Sequence, residues 1–313
     1  MNGMAIFSIL VYPGFLFLGV MGMLMEQIDR KLYARLQNRA GPPWYQPLAD
    51  FIKLLSKEDI IPDDAEKTWF KAMPVLAVAA AATSALYVPI GGTAAAYHFE
   101  GDAIVAIYLM TIPTLTFFLG GWYSTSVFSM VGAMRTLTQL YAYEVPLFMA
   151  VLSPAIVARS WSLTSIAQFY SEHPVYSLFN IIGFVVALIA LQGKLEKVPF
   201  DIPEAETEIV GGTFIEYTGR FYAFFRMAIS IEMVVGASLI AAVFIPSFGL
   251  TGIAGFLLYL VKLFIVLFAS TALRTIVARL RIDQMTVFCW KYVAPAALIQ
   301  LLISIIMNGV LPS

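Results

Sequence analysis

The sequence predicts an all-α integral membrane protein of about eight transmembrane helices plus a short interfacial amphipathic helix, with both termini outside. Three observations predict this. Of 313 residues, 60% are hydrophobic and 12% charged, where a soluble domain carries about 25% charged residues. The apolar residues form runs near the roughly 20 that a bilayer core requires. Lysine and arginine collect in alternate loops. A soluble globule of this length could not hide so much apolar surface, so the chain reads as one polytopic domain, 1–313, with lipid as its solvent.

The elements follow in order. Residues 1–25 carry no charge. A secretory signal has a basic start and a shorter apolar core, so this run reads as a retained span, bent at Pro13-Gly14. Residues 26–71 are the longest polar stretch, with eight basic and eight acidic residues. Inside it Leu48, Phe51, Ile52 and Leu55 recur at helical spacing, while Asp50, Lys53 and Lys57 take the other face. That pattern suits a short helix lying in the membrane interface. A buried helix of a small extramembrane domain would show the same pattern. Further spans are expected over 72–90, 103–121, 137–158, 175–192, 213–244, 252–273 and 288–311. A turn over 246–251 separates the sixth and seventh, and 193–212 and 274–287 are polar loops.

With the N-terminus outside, 17 of the 19 lysines and arginines fall in or beside the inner loops. The excess of positive charge on the inner side then places 26–71, 193–212 and 274–287 in the cytoplasm. Arg159 lies outside and Lys262 falls within the seventh span. The outer loops are short and poor in charge. A docking surface or reaction site is therefore expected on the cytoplasmic face.

Counting removes several functions. The single Cys289 makes no internal disulfide and holds no iron–sulfur cluster, which generally needs four thiolates. His98 and His173 are too few for a zinc or haem site from this chain alone. No metal site is expected, no Gly-rich phosphate loop is present, and nothing indicates a nucleic-acid partner.

Carboxylates inside spans are costly, a few kcal/mol each at the bilayer centre. Glu144, Glu216 and Glu232 fall there on this reading. They serve either a proton or cation relay or static ion pairs, for example with Arg135, Arg220, Arg226 or Lys262. The loop after the fifth span adds a dense acidic cluster: Asp201, Glu204, Glu206 and Glu208, hemmed by Val198-Pro199-Phe200 and Ile209-Val210. Such a cluster should titrate as a coupled group and share protons near neutral pH.

At this loop the sequence resembles a known family. The run from Val198 through Gly212, Val-Pro-Phe-Asp-Ile-Pro-Glu-Ala-Glu-Thr-Glu-Ile-Val-Gly-Gly, followed by Glu216-Tyr217-Thr218-Gly219, resembles the signature of the NADH dehydrogenase subunit 1 (NuoH) family. Three more segments resemble it in the same order. They are Asp29-Arg30-Lys31 with Gln37, Arg39 and Gly41-Pro42; Gln139 to Val145; and Arg274, Arg279, Arg281, Asp283-Gln284 and Trp290-Lys291. The resemblance covers nearly the whole chain and implies eight spans.

The resemblance implies a membrane subunit joining a peripheral electron-transfer arm to an ion-pumping arm. Glu144, Glu204, Glu206, Glu208 and Glu216 match members of the family's glutamate chain, with Asp201 and Glu232 added as ion-coupling carboxylates. Asp29, Arg30, Lys31, Arg39, Arg274, Arg279, Arg281 and Asp283 are expected at the peripheral-arm interface. Cofactors would sit on partners: soluble iron–sulfur and large catalytic subunits on the cytoplasmic face, with a nickel–iron centre or a quinone as the possible additions. Antiporter-like membrane subunits would complete a hetero-oligomeric complex in the cell (plasma or inner) membrane.

Departures point to a branch. Asp29 stands where the family usually has Glu. Ala228 replaces a usual glutamate, and Glu232 lies one helical turn on. The shortened Gly41-Pro42-Pro43 segment and the Lys53 to Glu58 stretch resemble the energy-converting [NiFe]-hydrogenase branch. The quinone-chamber subunit of respiratory complex I and a sulfur-compound-reducing relative are the related alternatives. A free-standing transporter or channel and an inert membrane anchor are the readings from other classes.

Overall fold

A computed structural model describes residues 3–92, 94–250 and 252–310. The ends of the expected first and eighth spans (residues 1–2 and 311) and Thr251 of the expected turn lie outside the described residues. In chain order the helices are α1 (Gly3–Leu10), α2 (Phe15–Leu36), α3 (Gln46–Leu55), α4 (Lys67–Ser84), α5 (Asp102–Tyr123), α6 (Val127–Ala158), α7 (Leu163–Glu172), α8 (Ile181–Lys194), α9 (Glu206–Ile209), α10 (Gly219–Phe244), α11 (Gly252–Ile276), α12 (Ile282–Phe288) and α13 (Ala294–Val310). Among the described residues, eight segments are long and apolar enough to cross a membrane: Ile6–Leu36, Lys67–Tyr87, Asp102–Tyr123, Val127–Ala158, Pro174–Lys194, Gly219–Phe244, Gly252–Ile276 and Ile282–Gly309.

The first span is broken where the sequence predicts. Pro13 supplies no amide proton, and a Cβ on Gly14 would fall on the Ile9 backbone, so α1 and α2 meet at a tight bend. The span then runs beyond its expected end, to Leu36. Asp29, Arg30 and Lys31 therefore sit on a helix rather than in a loop. The helix tolerates them because Glu26 and Arg30 pair across one turn at 2.6 Å.

α10 is the centre of the bundle. It is buried almost all round over Ile231–Ala241, as expected of a helix apolar on every face, and it packs against α2, α3, α4 and α11. It begins at Gly219, six residues later than the apolar run suggests. Gly219 has a φ of +57°, left-handed backbone that suits glycine and stops the helix extending backward. Glu216 is thus placed in the turn before α10, not inside the span.

The short helix α3 spans the stretch expected to be amphipathic. Phe51 packs toward the core, whereas Leu48, Ile52 and Leu55 are exposed in this chain. At the opposite end of the bundle, Asp102 opens α5 fully buried. It accepts hydrogen bonds from the Leu163 amide at 2.6 Å and the Ser162 hydroxyl at 3.0 Å. This buried carboxylate is a staple between α5 and α7.

Candidate functional site

The residues singled out in the sequence gather at one end of the bundle, around the 195–218 segment. That segment is seated on α6. Gln139 donates from Nε2 to the Gly193 carbonyl at 2.7 Å and to the Phe200 carbonyl at 2.8 Å. Ser129 donates to the Thr213 carbonyl at 3.0 Å. Gly132 explains the paired glycines opposite it: a Cβ there would strike the backbone of Gly212 and Thr213. The Val-Pro-Phe part is held by burial of Phe200 and by the Leu280 amide donating to the Pro199 carbonyl at 3.1 Å.

A cavity of about 610 Å³ opens between α2, this segment, α10 and the end of α11. A second, of about 360 Å³, adjoins it under α3 and shares Glu26, Arg30, Glu204, Glu206, Arg226 and Ser230. Their walls form a web of alternating charge. Arg30 pairs with Glu26 at 2.6 Å and Asp50 at 2.8 Å. Arg226 pairs with Glu26 at 3.1 Å and Glu204 at 3.8 Å. Arg279 meets Asp201 at 3.2 Å and Glu208 at 3.4 Å. Glu208 also meets Arg135 at 2.6 Å, which holds its carboxyl below the usual glutamate range. Burial pushes Asp201 and Glu204 the other way, above their usual values.

The web continues inward. Glu196 is 7% exposed, and neither carboxylate oxygen has a hydrogen-bond partner in the protein. Burial, then the charges of Glu204 and Glu232, raise its carboxyl well above the ordinary range. Deeper still, Lys194 and Glu232, each 1% exposed, form an ion pair at 3.3 Å. Lys194 also donates to the Met110 carbonyl and lies 6.0 Å from the centre of the Tyr143 ring. Beyond Tyr143, Glu144 accepts a hydrogen bond from Thr111 at 2.6 Å, and its other oxygen is buried without a partner.

The expected residues thus fall into three groups. Asp201, Glu204, Glu206 and Glu208 surround the cavity mouth, with Glu206 and Glu208 exposed. Glu232 and Glu144 lie inside the bundle. Glu216 stands apart, half-buried and without an ion pair among the described residues. On the expected interface, Lys31, Arg39, Arg281 and Asp283 are exposed, while Arg30, Arg274 and Arg279 turn partly inward to carboxylates. Asp29 is the departure. It is 2% exposed and accepts from Lys197 at 2.8 Å, Arg274 at 3.2 Å and Thr271 at 2.6 Å. It ties α2, α11 and the loop together from within, and no docked subunit can touch it there.

Sequence reasoning overlooked Lys194, Glu196, Lys197 and Glu26. Lys194 counted only as an inner-flank charge, because Glu232 is distant in sequence and no local pattern links them. Glu26 had a signal, its spacing of four from Arg30. Glu196 had one too, a carboxylate between Leu195 and the Val-Pro-Phe run.

The raised value of Glu196 fixes a sign. The native state holds this proton more tightly than the unfolded chain does, so its contribution to stability falls as pH rises above 4.5, the ordinary value. Asp201 and Glu204 act in the same sense, and Asp59, lowered by the Arg220 guanidinium, in the opposite one. Glu196→Gln removes its share. Thermal unfolding of the purified protein from about pH 5 to about pH 8 should show the variant gaining on the wild type as pH rises. A difference independent of pH would contradict the assignment.

Fold and charge distribution together define a class: a multi-pass membrane protein whose ionisable groups crowd one end and continue, paired, into the bundle. A profile of the NADH dehydrogenase family matches residues 8–305. A membrane subunit of the NADH-quinone oxidoreductase of Bacillus cytotoxicus is 32% identical over 321 residues, covering 98% of this chain and 93% of that protein. The corresponding NADH-quinone oxidoreductase chain of Carboxydothermus hydrogenoformans is 30% identical over 301 residues, covering 93% and 85%. A chain in the solved structure of the membrane-bound sulfane sulfur reductase, an archaeal respiratory membrane complex, superposes with a TM-score of 0.87 at 25% identity, covering 97% of this chain and all of that one. The protein belongs to the NADH dehydrogenase (NuoH) family, and its relatives are subunits of multisubunit membrane redox complexes.

Proposed function

We propose that this chain is the coupling subunit of a complex-I-like, ion-translocating redox complex of the energy-converting hydrogenase type. Its charged end faces the cytoplasm, as the lysine and arginine count requires. Soluble iron–sulfur and catalytic subunits dock on the exposed Lys31, Arg39, Arg281 and Asp283. Charge changes there pass from the Glu204–Glu206–Glu208 cluster to Glu196, then to the Lys194–Glu232 pair and Glu144, and so to antiporter-like partners. The observation that carries the reading is the buried Lys194–Glu232 pair at 3.3 Å with the partnerless Glu196 beside it. Buried carboxylates are expensive, and a passive anchor has no use for this series. A free-standing transporter would leave the exposed basic cluster without a purpose.

The cavity bears on the branch. Eleven of its eighteen lining residues are charged, whereas pockets for small organic ligands are predominantly apolar with few polar groups. Its residues do not fit a quinone, and no step is derived through one. The structural likeness to the sulfane sulfur reductase chain favours, as second reading, the same coupling role in a sulfur-compound-reducing complex.

Mass spectrometry of the intact complex, isolated gently through a tag on this chain, tests the proposal. A co-purifying soluble subunit with two Cys-x-x-Cys pairs able to hold nickel, together with antiporter-like subunits, is the expected result. A related subunit lacking some of those cysteines would move the assignment to the second reading. Recovery of this chain alone, stable in detergent, would overturn both.

A further inference from the structure

A third cavity, of about 370 Å³, lies at the opposite end of the bundle between α7, α10 and α11. Gly249 and Leu250 line its outer part, with Glu172 at the same end of the bundle, and Tyr259 and Lys262 line its depth. Lys262 stands ten residues along α11 from Gly252, about 15 Å of helix rise. Its side chain is 4% exposed. The ammonium donates to the Ile245 carbonyl and the Ser247 hydroxyl, both at 2.7 Å. An ammonium has three protons to donate, and no carboxylate among the described residues lies within ion-pair distance. Every other deeply buried cation here, Lys194 and Lys197 included, has such a partner. A charge at this depth is costly, and positioning helices needs no lone ammonium facing a cavity.

We propose that Lys262 is a proton-release residue at the base of a vestibule open to the outer face, so that this chain carries its own outward half-path for protons. The inference rests on the coupling reading and on the orientation given above. The ammonium passes one proton to vestibule water and becomes a neutral amine, which keeps a hydrogen bond to the Ile245 carbonyl. The amine then regains a proton from the inner side, where Tyr259, one turn away, shares a hydrogen bond of 2.9 Å with Ser238 of α10. The coupling carboxylates supply that proton. Six residues of α10, about 9 Å of rise, separate Ser238 from Glu232, and this stretch is buried and apolar, so delivery across it requires a conformational step. The fixed positive charge repels metal cations, which makes the vestibule selective for protons. Glu172 and Tyr259 are the other titratable groups lining it.

The test uses the whole complex in sealed vesicles, reading protons released outside per electron transferred. Arginine keeps the charge but does not deprotonate. Lys262→Arg and Lys262→Met should both lower the ratio to half or less. A normal ratio in Lys262→Arg, with or without loss in Lys262→Met, would make Lys262 a fixed cation or an anion site and overturn the proposal. A normal ratio in both would do so as well. Glu232→Gln in parallel separates the two readings: if it leaves coupling intact the coupling proposal itself fails, and if it abolishes coupling while Lys262→Arg is normal only the outward half-path fails. Access has its own check. With Cys289 replaced by serine, Ala242→Cys should react with a charged, membrane-impermeant thiol reagent added outside, and a failure to label would remove the vestibule.

Discussion

Glu232→Gln will abolish coupled ion transport and destabilise the protein, the largest effect expected of any single change here. The substitution leaves Lys194, 1% exposed, with only the Met110 carbonyl as a strong partner. Removing one member of a buried pair costs about 3–5 kcal/mol, because the other charge is left uncompensated. Loss of transport could then follow from misfolding alone, so a second variant is needed. In Lys194→Met/Glu232→Met both charges go, and packed apolar replacements of buried pairs are often neutral or stabilising by about 1–4 kcal/mol. Thermal unfolding in detergent should therefore show the double variant recovering most of the stability lost by the single one. Proton pumping in reconstituted vesicles should stay absent in both. A double variant that pumps normally would reduce the pair to a packing feature.

Asp29→Asn comes second. This carboxylate sits among Lys197, Arg274 and Thr271. The change leaves two partly buried cations facing each other with no anion between them, a cost again of about 3–5 kcal/mol. Since Asp29 joins α2 to α11 and to the 195–218 segment, the expected signature is regional. Amide exchange should accelerate in that segment and at the end of α11 before the rest of the bundle loosens. Asp29→Glu keeps the charge and should retain most of the protection. Unchanged exchange in Asp29→Asn would show that the cations have other partners, and an expectation of direct contact with a docked subunit would regain ground.

The two residues also show where reading the sequence stops. Asp29 stood in a charged run that hydropathy assigns to a loop, so an exposed role followed. Helix α2 instead continues to Leu36, because Glu26, Arg30 and Arg226 neutralise one another across its face. Glu216 shows the reverse error. The uncharged residues Thr213-Phe214-Ile215 extended the apparent span past its true start, and only the left-handed backbone at Gly219 sets the limit. The ordered motifs were legible because each carries a local demand: prolines and paired glycines for a tightly seated loop, carboxylates and cations for its rim.

The sequence by itself determined the eight spans, their approximate limits, the bend at Pro13-Gly14 and the concentration of charge at one end. Lipid imposes these one-dimensionally, through the length and polarity of each run. Only the tertiary structure decided which charge meets which. Lys194 and Glu232 come from α8 and α10, with a long loop between them. Whether a buried carboxylate is neutralised, partnerless like Glu196, or merely near the surface like Glu216 depends on how helices distant in sequence pack. So does the solitary state of Lys262. Pairing energies act over a few ångströms in a medium of low dielectric, and the chain alone does not encode such distances in any local pattern.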